Sequence, residues 1–152
     1  MFTESVNLKG NLEVILLDQN GIQKDYRKIE NVVVAVGKQI IAARLVGNTI
    51  AIPSHMAVGT DSTAAATGQT ALGGELGRVV LDSTTRVSNV LTYVATFPAG
   101  TGTGALAEAA ILNAASTGNM LCRTTFSVVN KAIGDSIVIT WNVTVAYHIF
   151  VP

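Results

Sequence analysis

The sequence predicts an all-β chain, an antiparallel β-sandwich of jelly-roll-like winding with one short helix around Lys38–Val46. Two observations carry this. In SIVITWNVTVAYHI, Ile137, Ile139, Trp141, Val143, Val145, Tyr147 and Ile149 form one apolar stripe opposite Ser136, Thr140, Asn142, Thr144 and His148, the period of two of a half-buried strand. Runs of strand length recur along the chain between glycine-bearing turns, and helical spacing occurs in only one place.

The elements follow in order. Residues 1–10 are expected as an N-terminal arm and 11–152 as a single domain. Leu12–Leu17, the turn signal Asp18-Gln19-Asn20-Gly21 and the alternation up to Val36 predict a hairpin. KQIIAARLVG then places Ile40, Ile41, Arg44 and Leu45 at helical spacing and ends on Gly47, a C-terminal cap. A short strand is expected at His55–Gly59, a long loop of small residues over Thr60–Gly74, and a strand beginning near Leu76. In NVLTYVATF, Leu91, Tyr93, Ala95 and Phe97 share a face.

FPAGTGTGALAEAAIL, from Phe97 to Leu112, sets glycines 100, 102 and 104 before a run of small apolar residues. A phosphate cradle needs amides converging on a helix N-terminus, usually with a lysine, and the stretch has neither lysine nor good helical register. It is expected as a bend leading into a buried strand, with Glu108 the only charge between Ala105 and Leu112. A hairpin turn at Ala114–Gly118 follows. A register with Leu112 opposite Asn119 sets Glu108 opposite Arg123, an exposed opposite-charge pair that pins the register by about 0.2–1 kcal/mol.

Composition bounds the chemistry. The chain of 152 residues is 49% hydrophobic and 13% charged, with 10 basic and 10 acidic residues. Zero net charge without a basic cluster beyond Arg27 and Lys28 removes the electrostatic basis for nucleic-acid binding and for an anionic membrane. Neither a secretory leader nor an uninterrupted apolar span is evident, so a protein made in the cytoplasm is expected. The lone Cys122 has no partner for a disulfide or a metal and is read as packing. His55 and His148 stand apart from each other and from metal-ligand spacing, so no metal, cofactor or catalytic constellation is expected. DQNG lacks the ligand spacing of a calcium loop, and the glycosylation-like NVT at Asn142 falls in mid-strand. Aromatic residues make up 5% of the chain, and Trp141 and Tyr93 sit on apolar stripes, which weakens a sugar-binding role.

NVVVAVGKQIIAARLVG, HMAVGTDSTAAATGQTALGGELGR, YVATFPAGTGTGALAEAAILNAASTGNMLCRTTFSVVNK and DSIVITWNVTVA together resemble a family of small structural proteins of tailed bacteriophages, over about residues 10–146. The resemblance is to capsid decoration (cement) proteins of short-tailed phages. MAVGT, TALGGELGR and the E..ILNA...G.ML.R stretch are similar to N-terminal domains of phage tail fibres as well, although Glu108-Ala109-Ala110 departs from the Glu-Ala-Gly common there. It implies a non-enzymatic virion protein on the capsid exterior, assembled in the host cytoplasm. Its partners would be the major capsid protein and further copies of itself, as a dimer or trimer. The alternative is a tail or fibre-attachment component involved in host adsorption, set second because no shaft follows the last strand. Candidate capsid contacts are Met1 and Phe2 in the arm, Thr60 and Asp61 in the long loop, and Ile149, Phe150 and Val151 at the apolar end.

Overall fold

The computed structural model describes the backbone of residues 3–150 and the side chains of residues 6–146. It contains nine strands and one helix among these residues: β1 (Thr3–Leu17), β2 (Gln23–Val33), α1 (Ala35–Leu45), β3 (His55–Gly59), β4 (Glu75–Val80), β5 (Ser83–Val87), β6 (Val90–Phe97), β7 (Gly104–Leu112), β8 (Met120–Lys131) and β9 (Ser136–Phe150). All pairings are antiparallel, in the order β4-β3-β7-β8-β2-β1-β9-β6-β5. An all-β chain with one short helix is therefore what the sequence folds into.

The sheet curls so that its two halves share one core. Met56, Val58, Ile111 and Leu121 from one half pack in the same cluster as Leu12, Phe97, Ile139 and Trp141 from the other. The halves meet at two corners. At one, β2 and β8 pair over only Val32–Arg123 and Val33–Cys122. At the other, β4 and β5, the outermost strands of the order, are separated in sequence by only Leu81 and Asp82. There the Leu81 amide donates to Ser54 on the β3 side and the Asp82 amide to Val94 on the β6 side. The chain itself bends across the gap between the two edges. The short β5 was not anticipated as a strand separate from the one beginning near Leu76.

Residues 3–10, expected as an arm, are instead the first part of β1, in unbroken register with β9 from Thr3–Phe150 to Leu17–Ser136. Pairing with β2 begins only at Gly10–Asn31, and β6 pairs with β9 only as far as Val90–Thr144. Thr3–Leu8 and residues 145–150 thus form a two-stranded ribbon beyond the rest of the sheet, roughly 20 Å long at about 3.4 Å per residue. Met1, Phe2 and Val151 lie outside the described residues.

The helix starts at Ala35, earlier than expected, so the alternation seen in sequence up to Val36 does not continue as strand. It ends as the glycine signal implies: Gly47 takes a positive φ of 75°, and the Gly47 and Asn48 amides donate to Arg44 and Ala43. Only Gly37 and Ile40 are buried within it. At Gly37 the helix lies directly on the β8 backbone, where a Cβ would overlap the Leu121 carbonyl. Gly37→Ala must therefore push α1 off the sheet, and a loss of about 1–3 kcal/mol is expected in urea denaturation. Unchanged stability would contradict this contact.

Candidate functional site

Arg123 and Glu108 do meet, in a setting the sequence did not reveal. Both side chains are fully buried, with Arg123 Nε 3.0 Å and Nη2 2.8 Å from Glu108 Oε2. The register differs from the expected one: irregularities near Leu106 and Leu112 place Arg123 opposite Ala110, and Glu108 opposite Thr125. A shift of two residues keeps both charges on the same face of the sheet, so they meet diagonally. The exposed, weakly stabilising pair expected from sequence is corrected to a buried one, because residues 60–74 fold over this face.

The cluster is closed. Glu108 Oε1 accepts from the amides of Asp61 (3.2 Å) and Gly74 (2.7 Å), and Oε2 accepts from that of Gly73 (3.1 Å) as well as from Arg123. Arg123 Nη1 donates to the Thr63 carbonyl (3.0 Å) and Gln69 Oε1 (2.9 Å), while Nη2 also reaches Asp61 Oδ2 (3.3 Å). Nε, Nη1 and Nη2 thus make four hydrogen bonds between them, and Nη2 also lies in ion-pair contact with Glu108. These bonds tie the loop to the buried pair. Gly59 lies beneath it, where a Cβ would overlap Glu108 Oε1 and the Gly74 carbonyl.

The neighbouring motif residues serve the same region. Arg78 binds Glu75 through both carboxylate oxygens (2.9 and 2.7 Å), and its Nη1 donates to the carbonyls of Ala114 and Thr117, each at 2.9 Å. It thereby fastens the β7–β8 turn, whose Asn113 side chain accepts from the Asn119 amide. Ala57, Ala110, Leu112 and Met120 form a second apolar cluster on this outer face, with Leu72 of the loop packed on it. Both faces of β7 are thus buried, which explains its run of small apolar residues.

The other candidates are placed as follows. Thr60 is exposed and Asp61 half-buried, its side chain 30% accessible. Ile149 and Phe150 have backbone in β9, opposite Glu4 and Thr3, and their side chains lie outside the described ones. Glycines 100, 102 and 104 all have positive φ, in a bend from β6 into β7 that carries no helix. Cys122 is buried in the core, and burial pushes its thiol well up, away from reactive thiolate character. Ser54 Oγ lies 2.9 Å from His55 Nδ1, and among the described residues no carboxylate completes a triad with them. No group of three or more metal-ligating residues occurs among the described residues.

One surface escaped the sequence reading. Between α1 and the strands lies an apolar groove of about 490 Å³, lined by Ile41, Leu45, Ile52, Leu91 and Val143, with Arg44 and Arg86 among its lining residues. A second groove of about 500 Å³ shares Ile41 and Leu45 and runs to Val6, Leu8 and Val145 at the base of the ribbon, with Lys38 beside it. The signal was present: Ile40-Ile41 and Leu45-Val46 put apolar side chains around more of the helix than one stripe can bury. Comparison with protein-family models, with curated proteins and with solved structures gives no match for this chain.

Two consequences are measurable. Breaking the buried pair by Arg123→Met or Glu108→Gln leaves an uncompensated group and should cost about 3–5 kcal/mol, while the double variant should lose less than the sum of the two. Two aspartates set the acid limit. The Thr63 amide foremost, helped by Arg123, holds the Asp61 carboxyl below its ordinary value of 3.8, and the Lys24 ammonium at 2.7 Å, with the Ala132 amide, does the same for Asp135. A depressed carboxyl contributes stability above its unfolded value and loses it as pH falls through its folded value. Stability should therefore decline from about pH 4 downward, and Asp61→Asn or Asp135→Asn should flatten that decline in denaturation measured against pH. A slope unchanged in both variants would contradict these assignments.

Proposed function

We propose that this protein is a non-enzymatic virion structural protein, a capsid decoration protein. In this reading it binds the outer surface of a phage head as a homo-oligomer and stabilises contacts between major capsid protein subunits. The observation that carries the reading is the apolar surface gathered around the ribbon base and α1. Val6, Leu45, Val46 and Ile52 are each more than half exposed, Leu45 at 83%. Contiguous apolar surface of this kind marks contact with other protein. The motif resemblance supplies the setting, and the closed charge cluster gives the module a rigid outer face.

The mechanism is linkage. A module that binds the assembled shell and not its free subunits stabilises the shell by its own binding free energy, repeated over every copy. An interface of about 1,600 Å² per contact is of ordinary size for such a role. Copy number tests the reading. On stained gels of purified particles the protein should appear in numbers comparable to the major capsid protein. A handful per particle would overturn the capsid assignment in favour of a tail or fibre position.

A further inference from the structure

The double groove along α1 is selective in charge as well as apolar. The chain has equal numbers of basic and acidic residues, yet among the described side chains the two grooves are lined by Lys38, Arg44 and Arg86 and by no acidic residue. Among the described side chains none of the three forms an ion pair. Arg44 donates only to the carbonyls of Asn48 and Ile50 at the helix end, and Arg86 only to that of Ser88. The remaining N–H groups face solvent at the rim of an apolar trough. Lys38 and Arg44 stand six residues apart on one helix, about 9 Å along its axis and about 120° apart around it, one on either side of Ile41, which lines both grooves.

We infer that this trough is a docking site for an acidic, apolar-centred peptide segment of a partner protein, with two carboxylates separated by roughly four residues of extended chain, a spacing that keeps them on one face. A single-headed amphiphile meets one of these cations and leaves the other unpaired, whereas a segment with carboxylates on both sides of its apolar residues meets both. The apolar side chains displace water from Ile41, Leu45 and Ile52, and the carboxylates set register and orientation. That the segment belongs to a shell subunit rests on the capsid reading; its chemistry does not.

The test uses the full-length protein and two blocked synthetic peptides, each with two charged residues separated by three apolar ones within a leucine and valine sequence, one with glutamates and one with lysines. Isothermal titration should show the glutamate peptide binding at least about tenfold more tightly, with an affinity that falls as salt rises. Amide NMR shifts should concentrate on α1 and β5. The Lys38→Glu/Arg44→Glu double variant should reverse the preference; both positions are exposed, and binding of the lysine peptide certifies that the variant is folded. Equal affinity for both peptides, no binding, or shifts elsewhere would overturn the inference. So would sedimentation showing an oligomer that Leu45→Asp dissociates, since a second copy would then occupy the trough. Selective peptide binding alongside a low copy number on particles would leave the groove standing and remove only the capsid reading.

Discussion

A guanidinium and a carboxylate held away from water, Arg123 and Glu108, determine how one side of this molecule is built. Burying two charges costs several kcal/mol per ion unless every donor and acceptor is answered. Here the answers come from residues 60–74: three backbone amides for Glu108, and a carbonyl, an amide oxygen and a second carboxylate for Arg123. The loop cannot leave without exposing the pair, and the pair cannot stay buried without the loop. This mutual dependence turns a glycine- and alanine-rich segment into a fixed layer over β3, β7 and β8. It also accounts for an otherwise costly choice, a strand with a glutamate among alanines and leucines.

The same economy of edges shapes the rest of the sheet. The bend at Leu81–Asp82 carries the chain from one edge to the other, and the β2–β8 corner joins the halves through only two residue pairs. Between these corners the core is filled from both sides, with Trp141 donating its indole N–H to Asn31 Oδ1 at 2.8 Å. Beyond them the β1–β9 ribbon has no neighbouring strand among the described residues, and the apolar trough begins at its base. The firmly tied part of the molecule and the part with unsatisfied apolar surface are thus different regions.

Much of this was legible in the sequence because the apolar run Leu12–Leu17 and the period-two alternation over Leu91–Phe97 and Ile137–Val143 report burial directly. His55–Gly59 was legible because small and apolar residues stand between turn signals. The Glu108–Arg123 contact was reached through an incorrect register, since two bulges in the β7–β8 pair leave no mark in the residue pattern, while a slip of two preserves which side chains share a face. The burial of the pair was not legible, because it depends on a loop folding back across many residues. The arm was misjudged for a related reason: Thr3–Lys9 pairs with residues at the far end of the described chain, and local patterning does not see that distance. Gly73, Gly74, Arg78, Glu108 and Arg123 are the residues that fasten this side of the fold.

If the buried pair is the fastening described, the loop amides that point at Glu108 should exchange hydrogen only when the whole domain unfolds. Native-state hydrogen exchange at Asp61, Gly73 and Gly74 measures this directly. Protection equal to that of the β7 core amides is the result this account predicts. Exchange at the rate of an open surface loop, with β7 still protected, would contradict it.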